Sequence, residues 1–204
     1  MRHLVIFAKA PHFGAVKRRL ARDIGRLAAL QFYYRNLRST VRLLSKDRRW
    51  NTFVAITGAS TRWSNIIPHS VAILNQGGGD LGVRMKRVTE VMPLGPVIIV
   101  GSDVPMISRD NIFSAFVELG RKDLVLGPAY DGGYWLIGQA RRRPMQAIFD
   151  NIRWSTENVI EDTLANLDCR HKYSIINTLL DVDDGQSYAT WKRDKCGLGE
   201  DFIR

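Results

Sequence analysis

The sequence has few cysteines, no long apolar run and no paired histidines, and each shortage excludes a class of protein. Its 204 residues include two cysteines, Cys169 and Cys196, which lie in different segments and lack metal-ligand spacing. A disulfide between them is not expected in a reducing compartment. No apolar segment approaches the roughly 18–20 residues that cross a bilayer as a helix. The four histidines form no spaced pair, and no Ser–His or Cys–His pattern is visible, so we expect no catalysis by histidine.

The composition is that of an ordinary folded protein. Hydrophobic residues make up 45% of the chain and charged residues 25%, which excludes wholesale disorder. The length suits one domain, so we predict a single domain over residues 1–204. The apolar run His3–Ala8 is too short for the core of a signal peptide and is typical of a buried first strand. We therefore expect a cytoplasmic protein.

The net charge of +10 favours acidic partners, such as nucleotides, phosphorylated metabolites, nucleic acid or an anionic membrane face. Basic residues crowd two stretches, Arg35–Arg49 and Arg141–Arg143, and each is typical of a solvated basic surface. Nucleic-acid binding is the less favoured interpretation, because the aromatic residues Phe32–Tyr34 cluster instead of interleaving with the cations. The oligomeric state is not determined, and a homodimer remains open.

Strand-like and helix-like segments alternate along the chain, which predicts an α/β fold with a mostly parallel sheet. Asp80 and Ser108 stand where two of the helices need N-caps. A short loop after the fifth strand predicts a hairpin, and therefore a mixed sheet. The predicted strands are His3–Ala8, Phe53–Thr57, Val71–Leu74, Val97–Val100, Leu124–Leu126, Tyr134–Ile137 and Lys172–Ile176; the predicted helices are Leu27–Leu44, Leu81–Met92, Asn111–Leu119, Met145–Phe149, Glu157–Leu167 and Ser187–Lys195.

The loop after the first strand has several features of a phosphate-binding site. Ligands of open parallel sheets sit beyond the carboxyl ends of the strands. Here Gly14 allows close backbone approach, and a helix start would offer unpaired N–H groups. The cations Lys9, Lys17 and Arg18 or Arg19 supply charge. The spacing is neither a Walker A loop nor a dinucleotide fingerprint, and a basic surface turn explains it equally well.

Later loops place carboxylates and glycines at the same predicted edge. Asp103 follows the fourth strand and could hold Mg²⁺ or Mn²⁺, or simply close a turn. The glycines Gly77–Gly79 allow a flat ligand to lie close to the backbone, and Asp80 or Arg84 could hydrogen-bond to its polar edge. Asp80 is equally well explained as an N-cap. Asp131 lies in an Asp-Gly hairpin turn and could face an acceptor hydroxyl. Three more carboxylates, Asp181, Asp183 and Asp184, precede the last helix, as N-caps or as a second metal ligand.

Taken in order, these segments resemble a known family. The chain is similar to the bacterial glycosyltransferase-like proteins once grouped as a domain of unknown function (transferase 1, associated with radical-SAM and selenodomain proteins). That family belongs to the nucleotide-diphospho-sugar transferase superfamily with the GT-A fold. Five ordered motifs over nearly the whole chain carry the resemblance: Phe7–Pro11 with Gly14–Leu20, Gln76–Gly82, Gly101–Pro105, Gly127–Gly138 and Trp154–Thr156. The chain departs from the family at Arg18, where Thr is usual, and at Val83, where an acidic residue is usual.

The resemblance implies a Rossmann-like GT-A fold, with helices on both faces of a mostly parallel mixed sheet, and a set of site roles. Asp103 takes the place of the metal-binding aspartate. Asp183 is the less certain second metal ligand, because Asp184–Ser187 replaces the last four positions of the similar ending in sugar nucleotidyltransferases, and Asp131 remains an alternative second ligand. The implied nucleotide and phosphate residues are Lys9, Ala10, Pro11, Gly14, Lys17, Arg18, Arg19, Gln76, Gly78, Asp80 and Arg84. The implied acceptor-side residues are Gly132, Gly133, Tyr134, Trp135, Trp154, Ser155 and Thr156.

These expectations combine into a Mg²⁺- or Mn²⁺-dependent transferase that uses a nucleotide-activated donor. Asp131 and Lys17 are the candidate catalytic residues, with Asp131 orienting or deprotonating the acceptor. Glycosyl transfer from a nucleotide diphosphate-sugar is slightly favoured over nucleotidyl transfer from a nucleoside triphosphate to a phosphorylated small molecule. A protein that binds nucleotide without turnover is the remote alternative. The acceptor, sugar, base and stereochemical outcome stay undefined at this stage.

Overall fold

The computed structural model describes residues 1–14, 16–58, 66–145 and 147–197. Seven strands and six helices alternate through this part of the chain. In order they are β1 (His3–Lys9), α1 (Arg18–Ile24), α2 (Arg26–Ser45), β2 (Asn51–Thr57), β3 (Ala72–Asn75), α3 (Leu81–Val91), β4 (Val97–Gly101), α4 (Arg109–Glu118), β5 (Leu124–Pro128), β6 (Tyr134–Gln139), α5 (Val159–Ala165), β7 (Tyr173–Ile175) and α6 (Gly185–Gly197).

All seven strands form one mixed sheet in the order β3-β2-β1-β4-β6-β5-β7. β1 pairs in parallel with β2 and β4, β2 with β3, and β5 with β7. Only β6 runs the other way in this sheet, because it pairs antiparallel with both β4 and β5. The predicted hairpin and mixed sheet are therefore confirmed. Since β5 and β4 flank the same reversed strand, the carboxyl ends of β1, β4 and β5 lie at one edge of the sheet.

Alternate residues of each central strand supply two core layers. In β1, Leu4 and Ile6 pack in one layer with α2 and α4, while Val5 packs in the other with Met85 and Val88 of α3. Both faces of the sheet are thus buried, which is why the central strands are continuous apolar runs. A third cluster, Leu20, Ala29, Phe32 and Val182, joins α1 and α2 to the chain before α6. The predicted α/β fold with helices on both faces is confirmed.

The predicted N-caps are confirmed. The Asp80 carboxylate accepts a 2.8 Å hydrogen bond from the Val83 N–H at the start of α3. Ser108 and Asn111 form a reciprocal capping box at the start of α4.

One predicted helix, Met145–Phe149, is wrong. Residues 147–150 form turns, with Ile148 N–H donating to Met145 O and Asp150 N–H to Ala147 O. The segment lies between Pro144 and Asn151, whose φ of 56° is left-handed, so too few residues remain for a helix. Ile148 and Phe149 pack in the core despite this, which explains their apolar pattern. No helix in the described part of the chain is long and apolar enough to cross a membrane.

Candidate active site

A cavity of about 500 Å³ opens at the carboxyl edge of the sheet. Its volume is in the usual range for small-ligand sites. The loops after β1, β4 and β5 line it, together with the start of α3 and the chain between β7 and α6. Fourteen of the predicted site residues lie in its wall: Lys9, Lys17, Arg19, Gln76, Arg84, Asp103, Asp131, Gly133, Tyr134, Trp135, Trp154, Ser155, Thr156 and Asp183.

Lys17 links the two carboxylates that the sequence assigned to a metal. Its Nζ lies 3.0 Å from Asp103 Oδ2 and 3.4 Å from Asp183 Oδ1, and its side chain is only 5% exposed. Arg19 reaches the other oxygen of Asp183, with its Nη1 3.3 Å from Oδ2. The first loop and the Asp103 loop therefore meet directly at the cavity wall, as the predicted site requires.

The ion pair is fully charged at neutral pH. Burial alone would raise the pKa of Asp103, but the charge of Lys17 and its hydrogen bond outweigh burial and lower that pKa. Burial alone would lower the pKa of Lys17, but Asp103 and Asp183 outweigh it and raise that pKa.

The three carboxylates before α6 have three different environments. Asp183 contacts Lys17 and Arg19. Asp184 accepts from the Ser187 N–H at 2.8 Å and caps α6, as the structural interpretation of this segment predicted. Asp181 is held near Asp131 and Asp103, and its pKa is raised to about 6 by burial and by the negative charges of those two residues. Asp181 lies in the cavity wall, and the sequence alone did not separate it from its neighbours.

Backbone hydrogen bonds bring these carboxylates to the site. After β7 the chain continues beside β5, with Leu179 N–H donating to Pro128 O, and then crosses to the Asp103 loop. There Val182 N–H donates to Asp103 O at 3.0 Å, and Leu20 N–H donates to Asp183 O at 2.9 Å. One of the N–H groups at the start of α1 is therefore already used by the protein, so the first loop offers fewer free donors than the sequence suggested.

The glycine loop after β3 anchors an arginine in the cavity wall. Gln76 is 2% exposed, and its Nε2 donates to Ala8 O at 3.1 Å and to Ala55 O at 2.7 Å. Its Oε1 accepts from Arg84 Nη1 at 3.0 Å. Arg87 clamps the loop from outside by donating to Gln76 O and Gly78 O. Arg84 is thus held at a defined position by the ends of β1 and β2.

The side of the cavity that the sequence predicts to bind the acceptor is built from the β5–β6 hairpin and the chain before α5. Tyr134 and Trp154 meet edge to face, with ring centroids 6.4 Å apart. Gly132 has φ 86°, and a Cβ there would overlap the Cα of Glu157, so the hairpin tip is pressed against this chain segment. The buried Trp135 donates its Nε1–H to Asn177 O at 3.0 Å, a bond that also fixes the segment after β7.

Some of the predicted site residues do not line the cavity. Ala10 is buried, Asp80 is occupied as the α3 cap, and the Gly78 carbonyl is taken by Arg87. Their binding roles stay predictions, as do those of the remaining residues outside the lining, which are Pro11, Gly14, Arg18 and Gly132.

Tyr33 and Ser102 line the cavity although sequence reasoning missed both. The Tyr33 hydroxyl accepts from Lys9 N–H and donates to Lys9 O, both at 2.9 Å. It thereby ties α2 to the end of β1. No local pattern distinguishes it from its aromatic neighbours.

Comparison with known proteins places this arrangement in a family. Residues 40–156 match the family model described as an uncharacterized protein conserved in bacteria, DUF2064. The chain belongs to this family. The family match includes Gln76, Arg84, Asp103 and Asp131, whereas Lys17 and Asp183 lie outside it. No curated protein sequence matches the chain significantly.

Solved structures agree with the GT-A assignment. A protein from Desulfovibrio desulfuricans G20, proposed to be a nucleotide-diphospho-sugar transferase, is 25% identical with a TM-score of 0.80, over 90% of this chain and 82% of that one. A 4-diphosphocytidyl-2C-methyl-D-erythritol synthase from Anaerococcus prevotii is 9% identical with a TM-score of 0.61, over 94% and 96% of the two chains. Rv0371c from Mycobacterium tuberculosis, solved with manganese, is 13% identical with a TM-score of 0.53, over 93% and 96%. The fold is that of nucleotide-diphospho-sugar transferases and related nucleotidyltransferases.

The donor set of this family member suits a divalent ion held by few protein ligands. Within the described residues, no group of three or more acidic, histidine or cysteine side chains is arranged to hold a metal. Asp103 and Asp183 are nevertheless close enough to share one ammonium, and Asp181 adds further negative charge. Mg²⁺ is often bound by one or two carboxylates, with water and substrate phosphate completing its coordination. The pair fits that pattern once Lys17 is displaced.

Proposed function

We propose that this protein is a Mg²⁺- or Mn²⁺-dependent transferase that uses a nucleotide-activated donor, and that it transfers a glycosyl group to an acceptor hydroxyl. The observation that supports this best is the uneven charge of the cavity. Cations follow β1, whereas Asp131 follows β5 and Asp181 lies near it. β1 and β5 are three strand spacings apart in the sheet, or roughly 14 Å. A donor phosphate and a neutral acceptor match these two sides.

The donor side would be held by fixed charges. Lys9, Lys17 and Arg19 surround the space after β1 and would bind the diphosphate. Gln76 and Arg84 lie on the adjoining wall, where the nucleoside would rest. A divalent ion on Asp103 and Asp183 would neutralise the charge that grows on the departing phosphate oxygens.

The acceptor side favours a hydroxyl over a phosphate. Asp131 would orient the acceptor hydroxyl and accept its proton. The aromatic side chains of Tyr134 and Trp154 line the same wall as Ser155 and Thr156. Burial, and then the negative charges of Asp131 and Asp103, raise the pKa of Asp181. Carboxylates at this wall repel a phosphorylated acceptor.

Nucleotidyl transfer is the second candidate, because three cations in one wall suit a departing pyrophosphate. The structural similarity to a 4-diphosphocytidyl-2C-methyl-D-erythritol synthase agrees with that candidate at the level of the fold. It requires an acceptor phosphate beside Asp131 and Asp181, which is why we rank it second.

The deciding experiment compares donors by thermal shift and product analysis. UDP- or GDP-sugars should raise the melting temperature only with Mn²⁺, and a nucleoside diphosphate should be released. Asp103→Ala should abolish the metal-dependent shift, while Asp194→Asn, at an exposed position of α6, should leave it intact.

Asp131→Asn should keep donor binding and lower turnover by about 10²–10⁴-fold. Pyrophosphate release from a nucleoside triphosphate and a phosphorylated acid would instead establish nucleotidyl transfer. Nucleotide binding without any product would leave a non-catalytic binder. Indifference of the parent protein to every nucleotide would reject all three functions.

A further inference from the structure

We infer that Lys17 is an exchangeable resident cation of the Asp103–Asp183 pair, so that a divalent ion binds tightly only together with a donor diphosphate. The ammonium occupies the pair in the absence of substrate, and the diphosphate draws it away. This inference rests on the proposed function, because it concerns the same metal and phosphate site. It adds a binding order that neither the fold nor the family assigns.

The contacts of Lys17 put it in direct competition with a metal. Its Nζ is within 3.4 Å of both carboxylates, and its side chain is 5% exposed. The side chains of Asp103 and Asp183 are each 41% exposed, so in this part of the cavity wall the carboxylates are far more accessible than the ammonium. An ion arriving from the cavity therefore meets two accessible carboxylates that already share a cation.

The backbone of Lys17 is an independent sign that this position is functional. Lys17 has φ 49° and ψ 51°, the left-handed conformation, directly before α1. A non-glycine residue is disfavoured in this region and persists only when its surroundings enforce the conformation. Such residues cluster at binding and catalytic sites. Here the conformation delivers the ammonium to a pair of carboxylates contributed by distant segments.

Charge balance explains why the exchange needs a diphosphate. Lys17 brings one positive charge to the two carboxylates, and the exposed Arg19 side chain reaches only Asp183, whereas a divalent ion could neutralise both carboxylates directly. If the ion enters alone, Lys17 is left as a buried cation beside a second cation, which is unfavourable. A diphosphate removes that penalty because it gives the displaced ammonium new oxygen partners. Metal and diphosphate should therefore strengthen each other's binding by the same factor.

The first test measures Mn²⁺ binding by the unmodified protein from the electron paramagnetic resonance signal of free Mn²⁺. Mn²⁺ alone should bind weakly, and saturating UDP or GDP should tighten its binding by about tenfold or more. Uridine and guanosine, which lack phosphates, should leave the affinity unchanged. Tight Mn²⁺ binding without a nucleotide would overturn the inference.

The second test removes the resident cation. Lys17→Met should bind Mn²⁺ alone about tenfold more tightly than the parent and should lose most of the coupling to UDP or GDP. Lys17→Arg keeps the charge and should remain weak for Mn²⁺ alone. The matched control is Lys9→Met, which removes another cation of the same wall that acts on Asp103 through its charge but forms no ion pair with it. A gain in Lys9→Met equal to that in Lys17→Met would contradict direct competition.

The outcomes separate this inference from the proposed function. If Mn²⁺ binds neither to the parent protein in the presence of any nucleotide nor to the Lys17→Met variant, the metal-dependent function itself is rejected. If the parent binds Mn²⁺ with nucleotide and transfers sugar, but binds Mn²⁺ equally well without nucleotide, only the exchange is rejected. Circular dichroism and thermal melting establish that the variants are folded. Should Lys17→Met not fold, the measurements on the parent and on Lys17→Arg still decide.

Discussion

At the scale of single residues, the site depends on buried polar side chains that each make two or more hydrogen bonds. Lys17 joins two carboxylates, and Tyr33 both donates to and accepts from the backbone of Lys9. Gln76 joins two strands and Arg84. A buried polar group that loses its partner costs about 1–3 kcal/mol, so each of these residues couples the stability of the fold to the geometry of the cavity.

Substituting Gln76 tests this coupling. Gln76→Met preserves much of the volume but leaves Ala8 O and Ala55 O without their side-chain donor and releases Arg84. We expect the free energy of unfolding to fall by about 2–3 kcal/mol and the KM for the nucleotide donor to rise. Urea unfolding and donor titration measure the two effects. Arg84→Met is the control: it should raise the KM with a smaller loss of stability, and equal losses in both variants would argue against the bridging role of Gln76.

At the scale of elements, the pairing of strands and the packing of loops position the side of the cavity that is predicted to bind the acceptor. β6 reverses between β4 and β5, and its hairpin carries Asp131 to the cavity edge. The tip is then held by close packing of Gly132 against Glu157. The Asp-Gly turn indicates the hairpin in the sequence. The pairing of β6 with β4 and the packing of Gly132 against Glu157 have no such local signal, because each depends on a distant part of the chain.

The hairpin tip predicts a difference between Gly132 and Gly25, two glycines with nearly the same left-handed φ. Gly132→Ala introduces a Cβ that overlaps the Cα of Glu157 at a residue with φ 86°, so the tip must move. We expect a loss of more than about 1 kcal/mol of stability and a larger loss of acceptor turnover than of donor binding. Gly25→Ala is the matched control, since Gly25 has a similar φ of 87°, a Cβ there meets nothing within 4 Å, and the residue is not part of the cavity lining. An equal loss of acceptor turnover in the two variants would show that the packing of Gly132 does not position Asp131.

The opposite end of the β5–β6 pair predicts a pH dependence of stability. Asp123 is buried, which alone raises its pKa, but the Lys172 N–H and the charge of Arg143 outweigh burial and lower it. Its contribution is therefore fully present above the unfolded pKa of about 3.9 and is lost as the pH falls through the lower folded value.

Urea unfolding at neutral pH and near pH 3 should show a smaller loss on acidification for Asp123→Asn than for the parent. Glu90→Gln, at an exposed position of α3, is the control and should follow the parent. An acid loss in Asp123→Asn as large as in the parent would contradict the assignment.

At the scale of the whole molecule, charge and topology act together. The chain carries +10, and α2 has no acidic residue while Arg35, Arg38 and Arg42 lie exposed on it. At 100° per residue these three arginines fall within one narrow arc of the helix. A basic surface of this kind raises the encounter rate of anionic ligands without contacting them in the cavity.

The net charge predicts salt-dependent association of the donor. Raising the salt from about 0.01 M to about 0.15 M shortens the screening length from about 30 Å to about 8 Å, so the association rate of a nucleotide sugar should fall several-fold. Stopped-flow binding measures this rate. The triple variant Arg35→Gln, Arg38→Gln, Arg42→Gln should show a weaker salt dependence and an unchanged dissociation rate. A changed dissociation rate would place these arginines in the binding site instead.

Local patterns were sufficient for most elements of the fold. Continuous apolar runs mark strands that are buried on both faces, and Asp80 and Ser108 mark the beginnings of helices, because burial and capping act over a few neighbouring residues. The wrong helix prediction at residues 145–149 also came from a local pattern. An apolar run indicates burial but does not define the secondary structure, and Ile148 and Phe149 are buried within a segment of turns.

The family motifs also predicted that the loops with the candidate site residues lie at one edge of the sheet, and most of these residues line the cavity there. They could not predict that Lys17 would pair with Asp103 and Asp183, or that the charge of Asp131 would act on Asp181, since these residues are far apart along the chain and come together only after the sheet has formed. Periodicity and capping are short-range properties that the order of amino acids expresses directly. The partner of a charge is a long-range property, and strand order and the path of the chain after β7 decide it.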